Sequence, residues 1–147
     1  MFLNLAWQYG GAILAIACCA YALWQGGRVE RYAAGIILVG WILTLLLQSH
    51  SLSGPGLWVQ IIDGVALLMF VGLSLWSRRI WTLFLCACQL DTVMAHFSQM
   101  SLHSSQWVIA MVLGLWGGQG LLLCLVAGVI GHRQRLKRLA RSQALPT

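Results

Sequence analysis

Five uninterrupted apolar stretches divide this chain. They cover about residues 4–25, 32–49, 57–76, 80–98 and 106–131. Each is close to the roughly 20 helical residues that cross a bilayer. Their apolar residues run on continuously instead of alternating, which excludes a transmembrane β-barrel. The links GGRVER, HSLSGPG, SRR and QMSLHSSQ are short, and short links set consecutive helices antiparallel. A soluble core would need a polar shell. With 60% hydrophobic residues, 8% charged and a mean hydropathy of +0.82, the chain has nothing from which to build one. The expected fold is all-α: one five-helix integral membrane bundle over residues 1–131, followed by a basic tail over 132–147.

The nine lysines and arginines set the expected orientation. Arg28 and Arg31 fall in the first link, Arg78 and Arg79 in the third, and the other five after the last span. The N-terminus and the second and fourth links have none. By the positive-inside rule the N-terminus lies outside and the tail lies in the cytoplasm of a bacterial inner membrane. Positive charge at span ends is explained by orientation, so the net charge of +6 gives no support to nucleic-acid binding. A cleaved signal peptide is disfavoured, because the basic residues follow the first apolar run instead of preceding it. Trp7, Trp24, Trp58, Trp76, Trp81 and Trp107 fall near span ends, as an interfacial belt would. Trp41 and Trp116 lie deeper and are expected to pack between helices.

Cys18, Cys19, Cys86, Cys88 and Cys124 all lie within apolar runs. They read as small packing residues. Cys86 and Cys88 point to opposite sides of a helix, so they do not make a zinc pair. No metal site and no cofactor is expected.

Asp63 and Asp91 are carboxylates inside apolar spans. An aspartate at a helix centre costs about 2.5–3.5 kcal/mol to insert. Both lie about 20 Å from the SRR link at 1.5 Å per residue, so they should share one layer in the outer half of the bilayer. Both are expected to face the bundle and to have partners, with Asp91 enclosed between the third helix and another. Gln60 lies on the face of Asp63. Gln89, Thr92 and His96 form one stripe of the fourth helix, and Asp91 sits well round from it. The inner half has little that is comparable apart from Gln119. Three readings follow for the set Asp63, Asp91, His96, Gln60, Gln89 and Thr92. The acids are structural, held neutral or hydrogen-bonded. Alternatively, Asp63, Asp91 and His96 form a proton or cation site. The weakest reading is metal or haem binding by His50, His96 and His103, because their spacing matches no ligand pattern and His96 falls near the interface.

The fifth span carries GLWGGQG. Gly114, Gly117, Gly118 and Gly120 make a helix-packing face, directed either within the chain or at another chain. Arg133, Arg135, Lys137, Arg138 and Arg141, with Leu136 and Leu139 one turn apart, suit a short basic helix lying on anionic lipid.

An aspartate in the third span is followed by SRRIW, then CQLDTVMAH, then a last span ending HRQR. Over roughly residues 57–132 this pattern resembles a group of small uncharacterised multi-span inner-membrane proteins of alphaproteobacterial type. Arg79, Trp81, Gln89, Leu90 and His96 carry the match, and Cys88 stands where the group has Phe. The resemblance implies a membrane location and no activity.

The expected function is that of a small non-enzymatic protein, a packing or accessory subunit of a membrane assembly or homo-oligomer. Its expected partners are the bilayer and its anionic lipids. The alternatives are a proton- or cation-responsive conductor using Asp63 and Asp91, and a holin-like pore former. No nucleophile–base pair, phosphate loop or metal triad is present to suggest an enzyme.

Overall fold

The helices begin and end where the backbone finds a cap. The computed structural model describes residues 2–48, 57–101 and 113–143. Within them run α1 (Phe2–Gln25), α2 (Arg28–Gln48), α3 (Leu57–Ser77), α4 (Ile80–Ser101), and a π-helical stretch Leu113–Gly120 that continues into α5 (Leu121–Gln143). Four segments are long and apolar enough to cross a membrane: Arg28–Leu47, Leu57–Ser77, Ile80–Ser98 and Gly114–Gln143. The α1–α2 and α3–α4 turns lie at one end of the bundle, here the turn end, and α5 runs out past it.

The α1–α2 turn is two glycines. Gly26 N donates to Ala22 O at 2.9 Å and closes α1, and a Cβ on Gly26 would meet that oxygen at 2.3 Å. Gly27 O accepts from Arg31 N at 3.0 Å and so opens α2. That cap puts Glu30 in the first helical turn, where a carboxylate suits the helix dipole. The apolar pattern starts the second span at about residue 32, which leaves Glu30 in the link. The cap starts the helix four residues sooner.

At the other turn Arg78 adopts φ 51°, and its N–H donates to Ser74 O at 2.9 Å. This is a left-handed C-terminal cap, a position that glycine usually fills.

The core stripes follow helical spacing. On α1, Ala15, Cys19 and Ala22 meet Ala33, Ala34 and Ile37 of α2, small residues that let the backbones approach. On α3, Val59, Phe70, Leu73 and Ser74 are buried. On α5 the buried set is Leu121, Leu122, Leu125, Gly128 and Val129. Large apolar side chains, among them Leu68, Leu75, Phe84 and Leu123, cover the outside. The five cysteines are free and partly or fully buried.

Two tryptophan expectations change. Trp41 does pack against the core, but Trp116, in the π-helical stretch, is 53% exposed. Trp24, Trp58 and Trp76 are exposed at helix ends. Trp81 instead lies flat on α5, where a Cβ on Gly128 would meet its ring at 2.7 Å.

Gly117 faces Thr92 of α4, and Gly120 faces the Sγ of Cys88. With Gly128 over Trp81, these contacts hold α4 and the last helix in one antiparallel register. Gly117 and Gly120 of the glycine face therefore pack within the chain. An added Cβ on Gly117 would stand 2.5 Å from Thr92 Oγ1. Gly114 and Gly118 are half-buried. π-Helical turns are uncommon and are found mostly as single-turn bulges. Here the turn coincides with four glycines in eight residues.

Candidate functional site

One face of α4 carries Thr82, Leu85, Gln89, Thr92 and His96, all buried. Their spacing of three and four residues is that of a helix contact stripe. On α3, Asp63 stands on the same stripe as Val59, Ala66 and Phe70. The short antiparallel hairpin brings the two stripes together.

Asp63 is the centre of the contact. His96 Nε2 lies 2.9 Å from Asp63 Oδ2. The side-chain amide of Gln89 donates to Asp63 Oδ1 and to the Asp63 carbonyl, both at 3.2 Å. The imidazole is 3% exposed and its Nδ1 is buried without a partner. The Asp63 side chain keeps 20% of its surface open. Thr92 Oγ1 donates within its own helix to Cys88 O at 3.1 Å. Gln60 is half-buried one turn from Asp63.

The structure thus joins three of the six residues singled out in the sequence, with Thr92 on the same stripe. His96 is buried against α3. Asp91 is the correction. It is exposed. Its position between Gln89 and His96 keeps it level with Asp63. However, it is two residues from Gln89, about 200° round the helix, and so points away. Its neighbours on that face are Phe84, Leu90 and Met94, all exposed. Asp63 and Asp91 do not form a pair. α4 does pack between α3 and the last helix, but the expectation that this encloses Asp91 is overturned, because among the described residues those contacts fall on the opposite face of α4.

A second polar cluster lies at the turn end, where the sequence reading expected almost none. Glu30 is 0% exposed and forms an ion pair with Arg79, whose side chain is 28% exposed. Beside it Thr82 Oγ1 donates to Arg79 O at 2.6 Å and lies 3.2 Å from Ser74 Oγ and 3.3 Å from Ser77 Oγ. The signal that could have found Glu30 was the Gly-Gly cap with a carboxylate three residues after the second glycine, a helix-start pattern. Fully buried Phe70, Leu85 and Leu125 form part of the apolar core between the two clusters.

Among the described residues no group of three or more His, Cys, Asp or Glu side chains could hold a metal ion. His50 and His103 lie outside the described residues, as does most of the fourth link. The basic tail continues α5 to Gln143, with every side chain over residues 133–143 exposed. Arg133 Nη1 donates to Tyr21 Oη at 3.0 Å. No family model matches the chain, and no curated protein or solved structure does.

Proposed function

We propose that this chain is a non-enzymatic multi-pass protein of a bacterial inner membrane that binds a proton at Asp63 and His96 within its bundle. In this reading α1 is a fifth span, and the distribution of lysine and arginine favours an N-terminus outside and α5 running into the cytoplasm. The observation that carries the reading is the 2.9 Å contact of His96 Nε2 with Asp63 Oδ2. Ionisable side chains inside a bundle are expensive and mark ion or proton paths. With a neutral imidazole the pair carries one negative charge, and with an imidazolium it carries none. The pair can therefore take up one proton and become neutral. Gln89 fixes the carboxylate from the other side, and the proton enters by way of the Asp63 side chain, which keeps 20% of its surface open. Thr92 borders this site. Asp91, expected to share in it, is not a member.

The test is proton flux into liposomes holding a pH-sensitive dye, driven by a potassium diffusion potential. Wild type should conduct, and Asp63→Asn and His96→Gln should fall to the level of empty liposomes. Wild-type flux at that same level defeats the reading. Alkaline phosphatase fused near Gly54 should be active, and fused after Thr147 inactive. The reverse pattern would overturn the orientation.

A second reading, a subunit of a membrane assembly or homo-oligomer, is favoured by Asp91. An exposed carboxylate among Phe84, Leu90 and Met94 is costly against lipid. A neighbouring chain would cover it. Native mass spectrometry from mild detergent should then show a larger species that Asp91→Leu reduces, and a monomer in both would exclude it.

A further inference from the structure

Glu30 is the only glutamate in the chain, and it is buried with half of its carboxylate unused. Oε1 pairs with Arg79, while Oε2 is inaccessible and without a partner. A buried acceptor left unsatisfied is destabilising. What stands opposite is His132 on α5. A methyl group on Gly27 would lie 2.9 Å from Glu30 Oε2, 2.9 Å from His132 Cε1 and 3.1 Å from His132 Nε2. Carboxylate and imidazole therefore converge on one point from two elements, and only the missing side chain of Gly27 leaves room for them. His132 is half-buried, so its ring also reaches the outside.

We propose that Glu30 and His132 form a second proton-binding site, at the turn end, in which the protonated His132 ring donates from Nε2 to Glu30 Oε2 and ties α5 to the α1–α2 turn. The proton comes from water, and no other group changes its bonds. When the ring is neutral no hydrogen bond joins the two, and Oε2 stays without a partner. When it is charged, Arg79, Glu30 and His132 form a charged triad in a poorly solvated place, where such hydrogen bonds are about twice as strong as neutral ones.

The surrounding charges come from every element packed there. From α1, Tyr21 Oη accepts from Arg133. From α2, Arg28 is exposed, and Arg31 Nε donates to Gly26 O at 3.1 Å. From the α3–α4 turn, Arg78 is exposed and Arg79 is committed to Glu30. From α5, Arg133 and Arg135 are exposed. Glu30 is the single negative group among them, and its free oxygen and the His132 ring both border the space beside Gly27. One turn back on α5, the ring of Trp81 lies on Gly128 with Nε1 also buried and unpartnered. The turn end is therefore short of hydrogen bonds at two points, and protonation of His132 supplies one of them.

The experiment needs no assignment for the acid. Full-length protein in nanodiscs is labelled with 13C at the glutamate side-chain carboxyl, which gives one signal, and with 15N in the histidine rings. His132 is identified as the ring signal lost in His132→Gln. The expected result is that the Glu30 carboxyl signal shifts across the pH interval in which the His132 nitrogen titrates. That shift should vanish in His132→Gln and persist in His96→Gln. A Glu30 signal that stays flat through the His132 titration overturns the proposal, and wild-type protein alone is enough to show it. The readout does not involve flux. A failed liposome assay with a coupled Glu30–His132 pair would remove the Asp63–His96 reading and leave this site standing.

Discussion

Replacing Arg79 with leucine should be the most damaging single change at the turn end. The structure gives the size. Glu30 is 0% exposed, and its Oε2 already has no partner. Taking away the guanidinium leaves both oxygens of a buried carboxylate uncompensated. Removing one member of a buried ion pair costs about 3–5 kcal/mol. The Arg79 side chain keeps 28% of its surface in contact with the surroundings, so part of its charge is already solvated, and the lower end, about 3 kcal/mol, applies. Removing both charges is different. Glu30→Leu with Arg79→Leu leaves nothing unpaired, and such replacements are often neutral, so the double variant should fall within about 1 kcal/mol of wild type. Equilibrium unfolding in mixed micelles, with rising mole fraction of dodecyl sulfate and tryptophan fluorescence as the signal, measures all four proteins. An Arg79→Leu protein within about 1 kcal/mol of wild type would refute the reasoning. So would a double variant whose loss equals the sum of the two single losses, because the charges would then be independent.

The same unfolding assay reads three further changes. Asp63→Leu strands the donors of His96 and Gln89 and should lose about 1–3 kcal/mol, while Asp63→Asn keeps an acceptor and should lose less; equal losses would mean that the contacts at 2.9 and 3.2 Å contribute little. Asp91→Leu should be tolerated in folding, where a buried Asp91 would give a clear loss, and should insert more readily by about 3–4 kcal/mol in a translocon insertion assay. Arg78→Gly should raise stability by about 1 kcal/mol, because φ 51° suits glycine; a loss would show that the arginine side chain matters more than its backbone.

Much of the architecture was legible in the sequence because it depends on one dimension. A helix rises 1.5 Å per residue. The apolar runs therefore predict five spans, of which four are long and apolar enough among the described residues while α1 gives a shorter apolar helix, Gly10–Gln25, and the three-residue SRR link sets Asp63 level with the segment from Gln89 to His96. Helical spacing also placed Gln89, Thr92 and His96 on one face, and all three are buried together. Rotation about the helix axis is what the sequence left open. Two polar faces were readable on α4, one with the stripe and one with Asp91. Which of them turned inward was decided by the partners, Asp63 on α3 and Gly117 and Gly120 on the last helix. The glycine face could serve either an internal or an external neighbour, and α4 supplied the internal one. Glu30 was lost to the reading because hydropathy marks where apolar residues begin, while a helix begins where its first carbonyl accepts a bond. Gly27 O accepts from Arg31, and that hydrogen bond carries the only glutamate into the bundle. Its pairing with Arg79 spans 49 residues of chain, and its proximity to His132 requires α5 to return past the first turn. No local pattern encodes such contacts, so only the packed bundle could decide them.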